Sequence, residues 1–430
     1  MTGSRPYETP HCCGSEMRDA AGTRSSMHTD SEAARELADR TRELMEEVVL
    51  PIERDLPPGA TVSEGTVTEL REAAREYGVY APQVSGAYGG LGHDFRTVLP
   101  AFEAAGRSLL GPTAMRVAAP DEGNMHLLEL VGTPLQKEEY LRPLVAGEMR
   151  SGFSMTEPTP GAGSDPTMIR TTAERDGDEW VIDGQKWWTT QGVEADLLIV
   201  LARTDSDAHP YEGCSLFLVP AEAPGVEVVR NIPHIGGGPR GTSHAEIRYD
   251  GVRVPEEHLL GTPNEGFTHV QQRLGPARLT HCMRYAGMAR RALDIAVAYA
   301  DERAAFGGTL AEKQQPRFEV AEARTRLRAA RALVRETADR IANGEEARVD
   351  VSMSKLFTAT VVNDVVDTAM QLVGGNAIAR DLPLADFYTT ARQFRFVDGA
   401  DEVHKRVIAR EAFAHPPTEE LEPLTRYDER

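Results

Sequence analysis

The sequence predicts an α+β chain in three parts: an all-α N-terminal domain over residues 29–150, a middle β-barrel domain over 151–258 and a C-terminal four-helix bundle over 259–415. Three observations carry this. Apolar residues recur at helical spacing up to about residue 150, give way to short strand-like runs up to about Tyr249, and then return to helical spacing. Gly, Pro and Asp clusters punctuate the middle stretch, as short strands joined by tight turns require. The final stretch holds four long amphipathic segments, enough for an antiparallel bundle.

The bulk properties agree with a globular protein. The 430 residues suffice for about three domains of ~150 residues each. Lys and Arg number 47 against 67 Asp and Glu, a net charge of −20 that argues against a nucleic-acid surface. Cys12 and Cys13 are adjacent while Cys214 and Cys282 stand alone; none has metal or redox spacing, so a reducing compartment, the cytoplasm, is expected. The longest apolar run, Leu197–Ala202, is too short to cross a bilayer, and no membrane partner is expected.

In chain order, residues 1–28 are polar and aperiodic and read as a disordered tail, as do 416–430. Thr29 and Glu32 form a capping box before an apolar stripe at Leu37, Thr41, Leu44, Met45 and Val48. Helices are expected at Thr66–Tyr77, Phe95–Ala105, Asn124–Leu130 and Leu135–Ala146, with the turns Tyr88–Gly92 and Ala119–Asp121 between them. Asp183-Gly184, between Trp180–Ile182 and Gln185–Thr190, predicts a tight hairpin, and Asp250-Gly251 a second turn. Further strands fall at Leu197–Ala202, Ser215–Pro220, Val226–Ile232 and Ala245–Tyr249. The bundle helices are expected at Gly266–Arg303, broken near Gly275-Pro276, then Gln315–Ala342, Val351–Leu372 and Ala400–Phe413.

Three stretches could carry chemistry. The glycines of Ser151–Asp165 let backbone N–H groups approach an anion, and the tryptophans that follow suit a flat cofactor; plain turns and barrel-core aromatics are the alternative. Glu302-Arg303 with Phe306-Gly307 is either a solvated helix end or an anion contact. Asp398-Gly399-Ala400-Asp401-Glu402 is either a turn before an acidic helix start or a site for a base.

FSMTEP at 153–158, GSD at 163–165 and GQKWWTT at 184–190 together resemble the flavin-binding signature of the acyl-CoA dehydrogenase family. The resemblance runs from about Glu46 to about Phe413 and implies FAD as cofactor and an acyl-CoA, or a carrier-protein-bound acyl group, as substrate. It implies that Phe153, Met155 and Thr156 line the isoalloxazine and that Ser164 meets the pyrophosphate or the substrate's pantetheine. Trp188 would cover the ring, with Thr189 and Thr190 near N5. TEPTPGAGSD is longer than the family's usual TEP-GAGSD, which shifts the placing of Gly163 and Ser164. Arg303, Phe306 and Gln314, with Gln371, Gly374 and Gly375 of QLVGGNA, resemble the residues that reach the FAD of a neighbouring subunit. A homodimer or homotetramer is therefore implied.

At the base position most of the family has Glu, and here the matching residue is Asp398, with Gly399 and Arg278 as substrate contacts. Ala277 occupies the other position used for a base in some relatives and cannot act as one. DGADEVH at 398–404, WW at 187–188, APDEGNM at 119–125 and RLGPARLTHCMR at 273–284 resemble the branch of members ten and eleven, which uses Asp. Apolar neighbours are expected to desolvate Asp398 and raise its pKa towards the working pH. His281 and Cys282 are expected to be packing residues. An electron-transferring flavoprotein is the expected acceptor. The rival readings are a flavin oxidase or monooxygenase like nitroalkane oxidase, and a catalytically silent paralogue acting as a binding protein.

Overall fold

The computed structural model describes residues 30–57, 60, 62–236 and 243–414; both expected tails and the Thr29 cap lie outside them. Ser31 caps α1 (Glu32–Leu44), its Oγ accepting from Ala34 N at 3.1 Å. The predicted stripe is buried as far as Met45, but the next buried residue is Val49 and not Val48. Met45–Val49 is a π-helical turn, and its extra residue moves the apolar face on by one position before α2 (Leu50–Asp55). There follow α3 (Glu64–Glu76), α4 (Phe95–Ala105), α5 (Gly111–Ala114) and α6 (Asp121–Val131). α7 (Pro134–Gln136) runs through a second π-helical turn into α8 (Arg142–Ala146).

The middle strands are β1 (Ser151–Ser154), β2 (Thr172–Asp176), β3 (Glu179–Thr190), β4 (Leu197–Arg203), β5 (Cys214–Pro220), β6 (Val226–Asn231), β7 (His244–Pro255) and β8 (Leu259–Leu260). They form one sheet in the order β6-β7-β3-β2-β4-β5-β8, with β1 parallel to β4. Neither predicted Asp-Gly turn forms. The chain reverses instead at Gly177, φ 66°, and both β3 and β7 run straight through their Asp-Gly pairs. Ile182 pairs with Val252 and Gly184 with Tyr249, so one residue of β3 opposes two of β7. This is a β-bulge, and Asp183 Oδ1 accepts from Gly251 N across it at 2.8 Å. A positive-φ glycine serves a bulge as well as it serves a turn, and only the partner strand decides between them.

α9 (Gly266–Glu302) crosses Gly275-Pro276 without a break, because burial of Val270, Leu279 and Met283 holds it where proline removes a backbone hydrogen bond. A two-strand hairpin, β9 (Ala304–Ala305) and β10 (Gly308–Thr309), leads to α10 (Gln314–Ala342) and α11 (Arg348–Val373). α12 (Leu384–Phe394), which the sequence reading missed, precedes α13 (Asp401–Ala414). Its buried Leu384, Phe387, Ala391 and Phe394 do recur at helical spacing. No helix among the described residues is long and apolar enough to cross a membrane.

α9 docks onto α4 with almost no gap. A Cβ on Gly287 would lie 1.9 Å from Glu103 O, and one on Gly106 would lie 1.9 Å from Arg284 O. Gly287→Ala is expected to cost about 1–3 kcal/mol through forced separation of the helices, read as a lower denaturant midpoint. An unchanged midpoint would mean that the contact relaxes freely.

Candidate active site

One cavity of about 1020 Å³ lies between the sheet and the two helical parts. α9 lines it with Arg273, Ala277, His281, Arg284 and Met288, spaced four, four, three and four residues apart, so that they share one helix face. Of the sequence-predicted residues, Phe153, Met155, Thr156, Ser164, Trp188, Thr190, Arg278, Asp398 and Gly399 also line it.

Strand alternation forbids two consecutive side chains from facing one cavity, yet Trp187 and Trp188 both do. The cause is a second bulge: Lys186 pairs with Ile247 and Thr189 with Ala245, leaving both tryptophans opposite one residue. Trp188 takes a φ of 54° and meets His234 and His244 edge-on, with ring centroids 6.1 and 5.7 Å away. Burial and then His234 push the His244 pKa down to about 4. Trp187 Nε1 is buried without a hydrogen-bond partner. The bulge also turns Thr189 out of the cavity, against expectation; it is buried with its hydroxyl 3.1 Å from that of Ser154.

Asp398 sits in the loop between α12 and α13 with φ 54°, followed by Gly399 at 105°, a strained pair held from several sides. Arg278 Nε donates to Asp398 O at 2.8 Å, buried Lys355 Nζ donates to Gly399 O at 2.8 Å, and Arg395 Nε meets Asp401 Oδ2 at 2.6 Å. Gly399 must be glycine for a second reason, since a Cβ there would lie 2.8 Å from His404 Nε2. The Asp398 carboxylate Oδ2 lies 2.7 Å from His281 Nδ1. Its pKa does not rise as expected. Burial pushes it up, but His281 and then Arg273 and Arg278 outweigh burial and hold it below the usual carboxylate range. His404, also on the cavity, is pushed down to about 4 by burial, Arg278 and Lys355.

The sequence reading treated APDEGNM as a turn, but Ala119, Pro120, Glu122 and Gly123 line the cavity at the start of α6. It treated His281 as packing; the spacing from Arg273 and Ala277 was the signal that could have placed it on the cavity face. Arg303, Gln314, Gln371, Gly374 and Gly375 lie away from the cavity on the exposed surface, with Phe306 96% exposed.

Three family profiles match the chain: acyl-CoA dehydrogenase N-terminal domain over residues 31–148, middle domain over 152–252 and C-terminal domain over 264–413. The chain is 41% identical over 350 residues to a probable acyl-CoA dehydrogenase, FadE2, of Mycobacterium tuberculosis, covering 80% of this chain and 84% of that protein. It is 33% identical over 411 residues to human acyl-CoA dehydrogenase family member 11, covering 90% of this chain but 51% of that protein, so it spans about half of that relative. Among solved structures, a putative acyl-CoA dehydrogenase from Mycobacterium abscessus superposes with a TM-score of 0.84 at 35% identity, covering 90% of this chain and 99% of that one. Butyryl-CoA dehydrogenase from Megasphaera elsdenii gives 0.79 at 25% identity, covering 90% and 99%.

The loop after β1 hangs on one buried ion pair. Lys186 Nζ lies 2.9 Å from Glu157 Oε1, with side chains 0% and 2% exposed. Glu157 also accepts from the backbone N–H groups of Ala162, Arg170 and Thr171. Burial opposes its charge, but Lys186 and then Thr171 hold its carboxyl below the ordinary range. Lys186→Met is therefore expected to cost about 3–5 kcal/mol by leaving Glu157 buried and uncompensated. Pairing it with Glu157→Gln is expected to recover part of the loss, read by denaturant unfolding; additive losses would deny the coupling.

Proposed function

The chain belongs to the acyl-CoA dehydrogenase family, and on that premise we propose that it converts an acyl-CoA thioester to the 2-enoyl-CoA, with Asp398 removing the α-proton. It is a flavoprotein enzyme of fatty acid metabolism, and its cofactor is FAD. We take 29–150, 151–258 and 259–415 as its domains.

The cavity residues suit such a cofactor. The volume of about 1020 Å³ stands at the top of the range of roughly 300–1,000 Å³ for small-molecule pockets, with room for ring and acyl chain. The adjacent tryptophans form an aromatic wall, Trp187 Nε1 lacks a partner, and no atom lies within 4 Å of where a Cβ on Gly163 would stand. Phe153, Met155, Thr156, Trp188 and Thr190 would hold the ring, and Ser164 the pyrophosphate or pantetheine portion. When bound, FAD supplies the acceptor for the β-hydrogen and its electron pair.

Asp398 supplies the base. The α-C–H bond breaks, an O–H bond forms on the carboxylate, and the electron pair moves into the thioester carbonyl. That carbonyl needs donors as its charge develops, and the Asp398 backbone N–H is the proposed one, with Arg278 and Gly399 alongside. The observation that carries this reading is Asp398 on the cavity wall, in a loop pinned by Arg278 and Lys355. The exposed Arg303, Phe306, Gln314, Gln371, Gly374 and Gly375 support contact with a second copy and its cofactor. An electron-transferring flavoprotein is the proposed acceptor. The free, buried Cys214 and Cys282 support a reducing location, the cytoplasm.

Anaerobic titration with a panel of acyl-CoAs is expected to bleach the flavin absorbance, and Asp398→Asn to slow bleaching by about 10²–10⁴-fold. Hydrogen peroxide made stoichiometrically from a nitroalkane would favour an oxidase, and a purified protein that takes up no FAD a silent paralogue. Because the Asp398 pKa is held below the usual carboxylate range, the carboxylate is already ionised at neutral pH and stays so through mild acid. The kcat/KM profile is expected to show no acid limb from this base between about pH 5 and 8. A limb in that window that Asp398→Glu displaces would contradict it.

A further inference from the structure

We infer that His281 is a positioning residue that sets the Asp398 carboxylate at its working place, an inference that rests on the dehydrogenase reading above. The contact is close: His281 Nδ1 lies 2.7 Å from Asp398 Oδ2 and 2.8 Å from Ala277 O, one turn back on α9. The Nδ1 hydrogen meets the carbonyl with good geometry, and Asp398 Oδ2 is left without a hydrogen-bond partner of its own. The imidazole, anchored on Ala277 O, therefore holds the carboxylate by close contact while leaving its oxygen lone pairs available to a proton.

The groups that could compete for this carboxylate are committed elsewhere. Arg278 Nε is taken by Asp398 O at 2.8 Å, Arg273 Nε by Asn124 Oδ1 at 2.9 Å, and Lys355 Nζ by Gly399 O at 2.8 Å. On the other sides, Arg284 Nη1 is bonded to Val117 O, Glu122 accepts from Thr280, and His404 lines the same cavity. The His281 ring is backed by Tyr285 and Phe394, which stack on each other with centroids 4.1 Å apart. An aspartate reaches one methylene less far than a glutamate, so a small rotation takes it out of range of a substrate α-carbon. With those cations bonded elsewhere, the His281 contact is what fixes the rotation of the carboxylate.

The proton step can be read apart from electron transfer. An acyl-CoA analogue with sulfur in place of the β-CH₂ cannot yield a β-hydride. Its α-hydrogen can still leave to Asp398 and be replaced from deuterium oxide, and mass spectrometry of the recovered analogue counts the exchange. With holoenzyme and saturating analogue, His281→Ala is expected to slow exchange by about 10–100-fold, by loss of orientation, with the analogue's Kd changed less than about threefold. His281→Asn, whose side-chain amide N–H takes the place of Nδ1–H, is expected to restore most of the rate. Exchange at the wild-type rate in His281→Ala would overturn the inference. So would an Asn variant as slow as Ala despite a full flavin complement and unchanged Kd. No exchange in the wild-type protein would instead remove the Asp398 reading itself, and this inference with it.

Discussion

Buried positive charge has to end on an oxygen, and in this protein those oxygens belong to the loops that build the cavity. Arg273 reaches Asn124 Oδ1 and Pro120 O, Arg284 reaches Val117 O, Arg278 reaches Asp398 O, and Lys355 reaches Gly399 O. Each is a cation that would be costly to bury alone. The bonds to Pro120, Val117, Asp398 and Gly399 each hold a segment without regular structure in a fixed place against α9 or α11, and the bond to Asn124 ties α6 to α9. The conformation of the Asp398 loop, with two successive positive φ values, is held by Arg278 and Lys355 on its carbonyls, and Gly399 supplies the backbone freedom that it needs.

The same logic operates on the other side of the cavity with the signs reversed. Glu157 is a buried anion, and Lys186 with three backbone N–H groups surrounds it. The segment that carries Ser164 has little regular structure, yet it is tied to β3 through this carboxylate. Gly161 is required beside it, since a Cβ there would stand 2.3 Å from Glu157 Oε2. The two halves of the cavity are thus fixed independently, one by cations on carbonyls and the other by an anion on amides.

Where the sequence reading departs from the structure, the reason is consistently a partner that one segment cannot reveal. Asp183-Gly184 and Asp250-Gly251 look like turns in isolation, but each lies opposite the other in a paired bulge. Trp187 and Trp188 read as a strand end, and a bulge lets both face the cavity while Thr189 turns away. The Asp398 pKa was expected to rise from its apolar neighbours Phe396 and Val397. His281 and the two arginines, distant in sequence, decide its direction instead. α12 is legible in its own spacing, with Leu384, Phe387, Ala391 and Phe394 on one face.

By itself, the sequence determined the three-part order, the long helices and the motif residues that meet at the cavity, because periodicity and motif spacing are local properties. It also supplied Asp398 in place of the family's usual glutamate. Tertiary structure alone decided which Asp-Gly pairs bend the chain and which charges surround the base. It also decided that His281 stands 2.7 Å from Asp398. That division has one physical cause: hydrophobic periodicity acts over a few turns of chain, whereas electrostatic partners and strand register are set between residues far apart in sequence.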